Sequence, residues 1–196
     1  MLDRIPPRER RDLVVAWLAI SVAFALIFRS LWGNAVDALL VFIISFLTAG
    51  IGFVLHEMAH KFTAIGYGYW AEFRMNAQML LVAMLLAALV GFVFAAPGVT
   101  EIYGSYITRE RNGRISLSGP LTNLVLCIPF ALIYVIAGGG WPALLGLVGL
   151  RVNAMLAFFN MLPVGILDGS KVLEWNKLVF SAVFLLSLGV LIWSVL

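Results

Sequence analysis

Charged residues are scarce in this sequence. Asp, Glu, Lys and Arg make up 12% of its 196 residues, whereas soluble proteins carry about 25%. Hydrophobic residues account for 63%, so the composition argues against a soluble domain and predicts an integral membrane protein. The net charge of +3 is small and the basic residues are scattered, which predicts no nucleic-acid partner.

Cysteine and histidine are also rare. The single cysteine, Cys127, lies in an apolar run and excludes an internal disulfide, so we expect a small core residue. The sequence contains no internal repeat and no low-complexity linker. We therefore predict one integral membrane domain over residues 1–196.

The only two histidines, His56 and His60, flank Glu57 in the pattern H-E-x-x-H. On a helix the two imidazoles lie one turn apart on the same face, where they can hold one Zn²⁺. Glu57 can then take a proton from the attacking water. An uncharged run from Ala38 to Leu55 precedes the motif, so this chemistry is predicted to occur at membrane depth.

A second candidate site lies in the stretch 160–169, where prolines and glycines interrupt an apolar run beside Asp168. An Asp in apolar surroundings is costly, which favours a functional role. A helix cap at the membrane surface is the alternative. Catalytic zinc sites take three protein ligands and leave a fourth position for water, so Asp168 can complete the set begun by His56 and His60.

The apolar runs define the fold class. We predict an all-α polytopic membrane protein with about six apolar helical segments and a small β element near the active site. The segments are 13–28, about 36–65, 78–97, about 117–137, about 142–160 and 178–196. Alternation in 69–75 predicts a strand, and the glycines and proline of 138–142 predict a hairpin turn.

Arginines near the N-terminus set the predicted orientation. Arg4, Arg8, Arg10 and Arg11 precede the first apolar run, so the positive-inside rule places this end in the cytoplasm. A cleaved signal peptide is the competing interpretation of residues 13–28. If the first apolar run crosses the membrane outward, the second run brings the chain back to the cytoplasmic side. We therefore expect a multi-pass cell-membrane protein whose active site lies near the cytoplasmic side.

The metal ligands constrain the number of crossings. His60 and Asp168 must lie at the same depth to share one ion, so an even number of crossings must separate them. Three apolar runs lie between them, and we choose 78–97 as the one that does not cross. It would turn near residues 95–98 and return as a strand through about Ile107. The prediction is five full spans and one re-entrant helix–strand element, whose strand could pair with an extended substrate.

The two motifs, in this order, resemble the site-2 protease family of intramembrane zinc metalloproteases. The pair consists of His56-Glu57-x-x-His60 and, further along the chain, Asn160-x-x-Pro163-x-x-x-Leu167-Asp168-Gly169. Residues 118–123, Ser-Gly-Pro-Leu-Thr-Asn, are similar to a Gly-Pro-x-x-Asn-like segment of that family, and the resemblance covers residues 45–175. Many relatives carry a PDZ or CBS domain, for which we expect no room here.

The resemblance implies an activity and a set of roles. It implies one Zn²⁺ per chain, held by His56, His60 and Asp168, with Glu57 as the catalytic base. It also implies that Asn160 positions the substrate or stabilises the oxyanion. The implied reaction is cleavage of the transmembrane helix of another membrane protein within the lipid bilayer, as in regulated intramembrane proteolysis.

Two other functions are compatible with the residues. One is a different H-E-x-x-H membrane protease in which Glu174 supplies the third ligand. The other is a non-proteolytic membrane protein, such as a transporter or chaperone-like relative, although no catalytic position of the motif pair is missing. Two polar residues also stay open. Arg151 could pair with Glu101 or with strand carbonyls, and Asn153 could link two helices or neighbour the site.

Overall fold

The computed structural model describes residues 5–31, 33–91, 98–104 and 106–196 and consists mainly of helices. In chain order the elements are α1 (Pro7–Ile27), α2 (Ala35–Ser45), α3 (Ile51–Gly66), β1 (Trp70–Met75), α4 (Ala77–Val90), β2 (Gly98–Tyr103), α5 (Arg109–Ala137), α6 (Gly140–Asn160), α7 (Asp168–Trp175) and α8 (Lys177–Val195). A short 3₁₀ turn, Phe28–Leu31, follows α1, and a π-helical segment, Phe46–Gly50, joins α2 to α3. The two strands form one antiparallel sheet.

Five helical runs of the described chain are long and apolar enough to cross a membrane, which confirms the predicted number of spans. They are Pro7–Leu31, Ala35–Gly66, Arg109–Ala137, Gly140–Asn160 and Lys177–Val195. Helix α4 has 14 residues and is about 21 Å long, which is less than the hydrocarbon core of about 30 Å. The all-α polytopic fold with a small β element is therefore as predicted. The side of the membrane on which each loop lies stays a prediction.

The chain between the two strands leaves the sheet and comes back to it. Met75, the last residue of β1, pairs with Gly98, the first residue of β2. Both ends of the intervening segment therefore lie side by side, as expected for an element that does not cross. The predicted turn at 95–98 lies almost entirely outside the described residues, and β2 ends at Tyr103, earlier than predicted.

The π-helical segment holds the second span against α1. The carbonyl oxygen of Phe46, where the segment begins, accepts a hydrogen bond of 3.0 Å from Nε1 of Trp17. The two rings also stack, with their centroids 4.5 Å apart. Gly50, the last residue of the segment, lies against the same indole, where an added Cβ would overlap the ring. Helix α3 therefore begins at a fixed position beside α1.

Helix α3 passes through the centre of the protein. Its Phe53 meets Phe73 of β1 edge to face, with ring centroids 5.7 Å apart, in a buried cluster that also includes residues of α1, α2 and α6. Helices α5 and α6 form the predicted hairpin, but its turn is shorter than the predicted 138–142, because α6 already begins at Gly140. Their close approach requires Gly146, because a Cβ there would collide with the backbone of Tyr134.

Arg151 has a partner other than those predicted. Its Nε donates a hydrogen bond of 2.7 Å to the carbonyl oxygen of Ser194, near the end of α8. The last carbonyl groups of a helix lack partners within the helix, which makes them natural acceptors for a guanidinium group. The predictions of Glu101 or a strand carbonyl as its partner were therefore wrong. Cys127 is buried, as expected.

Candidate metal centre

Helix α3 places the two histidines of the motif side by side in the protein interior. The Nε2 atoms of His56 and His60 lie 3.0 Å apart, and the rings meet edge to face. The two residues are 4% and 8% exposed. Apolar neighbours on α3, including Phe53 and Ala64, are buried as well and keep this part of the helix in the core.

Asp168 completes the group, as predicted from the sequence. Its Oδ2 lies 3.3 Å from Nε2 of His56 and 3.1 Å from Nε2 of His60. Gly169 beside it packs against the backbone of Met161, where any side chain would collide, so the loop before α7 lies close to the end of α6. Within the described ranges these three residues form the one group of His, Cys, Asp or Glu side chains arranged to hold a metal ion.

Hydrogen bonds on the outer side of each ring determine which nitrogen faces the centre. Nδ1 of His56 lies 2.6 Å from Oδ1 of Asn123, and Nδ1 of His60 lies 2.8 Å from the carbonyl oxygen of Ile115. Both partners are acceptors, so each Nδ1 carries the proton and each Nε2 presents a lone pair. Such outer partners are typical of histidines that bind metals.

The three inner atoms fit zinc. Zinc binds imidazole nitrogen and carboxylate oxygen at about 2.0–2.2 Å in tetrahedral sites, so its ligand atoms lie about 3.3–3.6 Å from one another. The donors of His56, His60 and Asp168 are separated by 3.0–3.3 Å. A metal cation between them would compensate two lone pairs and a carboxylate that face one another at this distance. These three residues would hold the ion.

The charge of Asp168 suits this role. Beside a bound cation, the ionised form of its carboxyl group is favoured over the neutral form. Asp168 is therefore a carboxylate, which is the form that binds a metal ion.

Glu57 belongs to the same helix but not to the ligand group. It is 7% exposed and lines the same cleft as the three ligands. Its Oε2 accepts a hydrogen bond of 2.8 Å from the hydroxyl group of Thr100 in β2. A carboxylate that lies beside the ligands without joining them is placed to act as a base.

Asn123 is a buried site residue that reasoning from the two motifs misses. Its Oδ1 faces His56, while its Nδ2 donates to Oδ1 of Asn153 at 2.9 Å and to the carbonyl oxygen of Gly52 at 3.2 Å. Asn153 is thus both a helix–helix link and a neighbour of the site. The signal that could have identified Asn123 is the Gly-Pro-x-x-Asn-like segment in which it lies.

Gly119 of helix α5 lies against both imidazoles. An added Cβ at this position would lie 2.5 Å from Nε2 of His60 and 2.6 Å from Nε2 of His56. Any side chain would therefore displace the imidazoles.

Two other residues predicted from the sequence, Asn160 and Glu174, differ in how close they lie to the metal ligands. Asn160 lines the cleft, but its Nδ2 donates a hydrogen bond of 2.9 Å to the carbonyl oxygen of Leu156 in its own helix. Its contact with substrate stays a prediction. Glu174 is exposed and lies outside the ligand group, about 9 Å along α7 from Asp168, so the hypothesis that it supplies the third ligand was wrong.

Comparison with known proteins agrees with this geometry. The chain is 39% identical over 191 residues to the protein named "Putative zinc metalloprotease MJ0611" of Methanocaldococcus jannaschii, and the alignment covers 97% of this chain and 96% of the relative. Two further relatives have names of the same form. Rip3 of Mycobacterium tuberculosis is 32% identical over 56% of this chain and 33% of its own length. YwhC of Bacillus subtilis is 26% identical over 65% of this chain and 66% of its own length.

No protein-family model and no solved structure matches the chain. The similarity to the Methanocaldococcus protein nevertheless extends over almost the full length of both sequences. In this chain, the two histidines of the H-E-x-x-H motif and the distant Asp168 meet at one buried point. The chain belongs to the site-2 protease family of zinc metalloproteases.

Proposed function

We propose that this zinc metalloprotease is an intramembrane endopeptidase that cleaves the transmembrane segments of other membrane proteins. One observation carries the proposal: the histidine pair lies on a helical run of membrane-spanning length and composition, Ala35–Gly66. His60 lies about 9 Å along the axis from the end of this run, and His56 lies about 15 Å from it. A peptide bond cleaved there would lie within the apolar layer.

The residues of the site divide the chemistry among them. His56, His60 and Asp168 hold Zn²⁺, which when bound supplies Lewis-acid polarisation of the scissile carbonyl group. Glu57 accepts a proton from the attacking water and passes it to the departing amine. The apolar surroundings exclude bulk water and strengthen these interactions. Asn160 contacts the substrate backbone when it gives up the hydrogen bond within its own helix.

Strand β2 offers a place for the substrate. A transmembrane helix must be locally extended before it is cut, because its carbonyl groups are otherwise hydrogen-bonded within the helix. The sheet has two strands, so one edge of β2 has no partner strand among the described residues. Gly98, Val99, Thr100 and Ile102 of β2 line the cleft that contains the ligands. An extended substrate added to this edge would place its backbone beside Glu57.

The proposed orientation has the N-terminus in the cytoplasm and the active site near that side. The first residues of α5 include Arg109, Arg111 and Arg114, which the positive-inside rule assigns to the cytoplasm. The return of the chain from Met75 to Gly98 supports this orientation, because it keeps these arginines on the same side as the end of α3.

The test is cleavage of a panel of single-span membrane proteins by purified enzyme in proteoliposomes. The wild type should cut at least one of them inside its transmembrane segment, as located by mass spectrometry of the products. Glu57→Gln should cut none of them, whereas Glu174→Ala, an exposed acidic residue outside the site, should be as active as the wild type. Cleavage confined to loops outside the membrane would refute the intramembrane function.

A further inference from the structure

We propose that Thr100 is a positioning residue that orients the Glu57 carboxylate and links it to strand β2, an inference that rests on the function proposed above. The Thr100 hydroxyl oxygen lies 2.8 Å from Oε2 of Glu57 and 3.2 Å from the backbone carbonyl oxygen of the same residue. Thr100 is 7% exposed. Throughout the part of the chain that the structure describes, no other residue hydrogen-bonds this carboxylate.

The hydroxyl group has one proton to donate, and the carboxylate oxygen is both nearer and charged, so the bond to Oε2 is the stronger of the two. A glutamate side chain otherwise has considerable rotamer freedom, which is lost when it is held in one geometry. Holding one oxygen restricts where the other oxygen can lie. Thr100 thus orients the carboxylate of Glu57 by a hydrogen bond, as Asn123 orients the ring of His56.

The alternation of strand β2 explains why Thr100 reaches the base. Gly98 and Thr100 face the interior, while Val99, Glu101 and Tyr103 are exposed. Across the sheet Thr100 pairs with Phe73, whose ring packs against Phe53 of α3. The hydroxyl group is therefore held by the sheet and by the core of α3 together. A substrate strand that pairs with the edge of β2 would bind the same strand that orients the base.

The kinetic test uses Thr100→Val, which removes the hydroxyl group but keeps the shape of the side chain. On the best-cleaved protein of the single-span panel, kcat should fall about 10- to 100-fold, while KM and zinc content stay close to wild type. Thr100→Ser restores a hydroxyl group and should recover most of the loss. Ser187→Ala is the control, because Ser187 is also buried but donates to the carbonyl oxygen of Phe184 in its own helix, α8, at 2.8 Å.

A thermodynamic cycle tests the contact without any substrate. Thr100→Val should lower the Tm of the wild type by about 3–6 °C, because it removes a hydrogen bond to a charged group. In a Glu57→Ala background the same change should lower the Tm by less than half as much. Equal losses in the two backgrounds would overturn the proposal, as would wild-type kcat in Thr100→Val or a Thr100→Ser enzyme no better than Thr100→Val. If the wild type cleaves no protein of the panel, the proposed function fails, and the cycle alone decides whether the contact holds.

Discussion

The ammonium group of Lys61 lies 2.6 Å from Oε2 of Glu9, and both side chains are fully buried. Lys61 directly follows His60 in α3, whereas Glu9 lies in the first turn of α1. Lys61 also donates to the carbonyl oxygen of Ala71 at 2.7 Å, and the other oxygen of Glu9 accepts from the backbone N–H of Phe73 at 2.9 Å. The ion pair therefore joins α1, α3 and β1 directly beside the metal ligands.

Removing one member of this pair should be costly. Lys61→Met leaves the Glu9 carboxylate buried without a counter-ion, and we expect a loss of about 3–5 kcal/mol in the free energy of unfolding. The double variant Glu9→Gln/Lys61→Met buries no charge and keeps an acceptor for the N–H of Phe73, so it should be more stable than Lys61→Met. Thermal unfolding in detergent micelles measures both. A double variant as unstable as the single one would contradict this explanation.

Metal analysis tests the ligand assignment. Purified protein should contain about one zinc ion per chain. His56→Ala should abolish binding and Asp168→Ala should weaken it strongly, whereas Glu57→Gln should retain the metal although it loses proteolysis. Full zinc retention in both His56→Ala and Asp168→Ala would refute the assignment, and loss of zinc from Glu57→Gln would show that this residue is a ligand.

Gly119→Ala should disturb the centre without changing any ligand. The new methyl group would lie 2.5–2.6 Å from two Nε2 atoms, so the imidazoles must move and zinc affinity should fall about tenfold or more. Gly189→Ala in α8 is the matched control, since nothing lies within 4 Å of its added Cβ. It should bind zinc normally and gain up to about 1 kcal/mol in stability from helix propensity. Competition titration with a zinc chelator compares the two variants, and equal affinities would be the contrary result.

Asn123 and Asn160 should affect different properties. Asn123→Leu leaves the buried Nδ1 of His56 without an acceptor, and zinc affinity should fall about 10- to 100-fold. Asn160→Ala breaks only a hydrogen bond within α6, so zinc affinity should not change, while kcat/KM should fall if the side chain contacts the substrate. Chelator titration and cleavage of the single-span panel separate the two effects. Unchanged zinc affinity in Asn123→Leu would contradict its role.

Cysteine labelling tests the orientation. In a Cys127→Ser background, Thr108→Cys and Asn112→Cys should react with a membrane-impermeant thiol reagent from the cytoplasmic side alone, because the basic start of α5 is expected there. Reaction of both positions from the outside alone would exclude the re-entrant path and require another segment that does not cross.

The sequence predicts those parts of the site that depend on short, local residue patterns. His56 and His60 are ligands because of a spacing of one helical turn, and this spacing is visible in five residues of sequence. Asp168 follows from the number of ligands that zinc needs and from the prolines and glycines around it. The number of spans follows from the lengths of the apolar runs.

The contacts that the sequence could not predict depend on which surfaces of distant elements meet. Lys61 resembles an ordinary lysine whose charge reaches the membrane surface, and only the packing of α1 shows that Glu9, 52 residues earlier, buries it. Thr100 is one of many hydroxyl residues, and its partner Glu57 lies 43 positions away. The same reason explains the wrong partner predicted for Arg151.

The π-helical segment Phe46–Gly50 sets an angle within the second span. A π turn contains about one residue more than an α turn, so the helix after it is rotated by about 100° relative to an uninterrupted α-helix. Leu39 and Ile43, before the segment, are 58% and 41% exposed. With this offset both lie about 160° around the axis from His60, whereas in a continuous α-helix Leu39 would lie only about 60° away. The extra residue thus lets one helix turn its first half outward and its zinc ligands inward, and deleting a single residue from the segment would rotate the histidines out of line with Asp168.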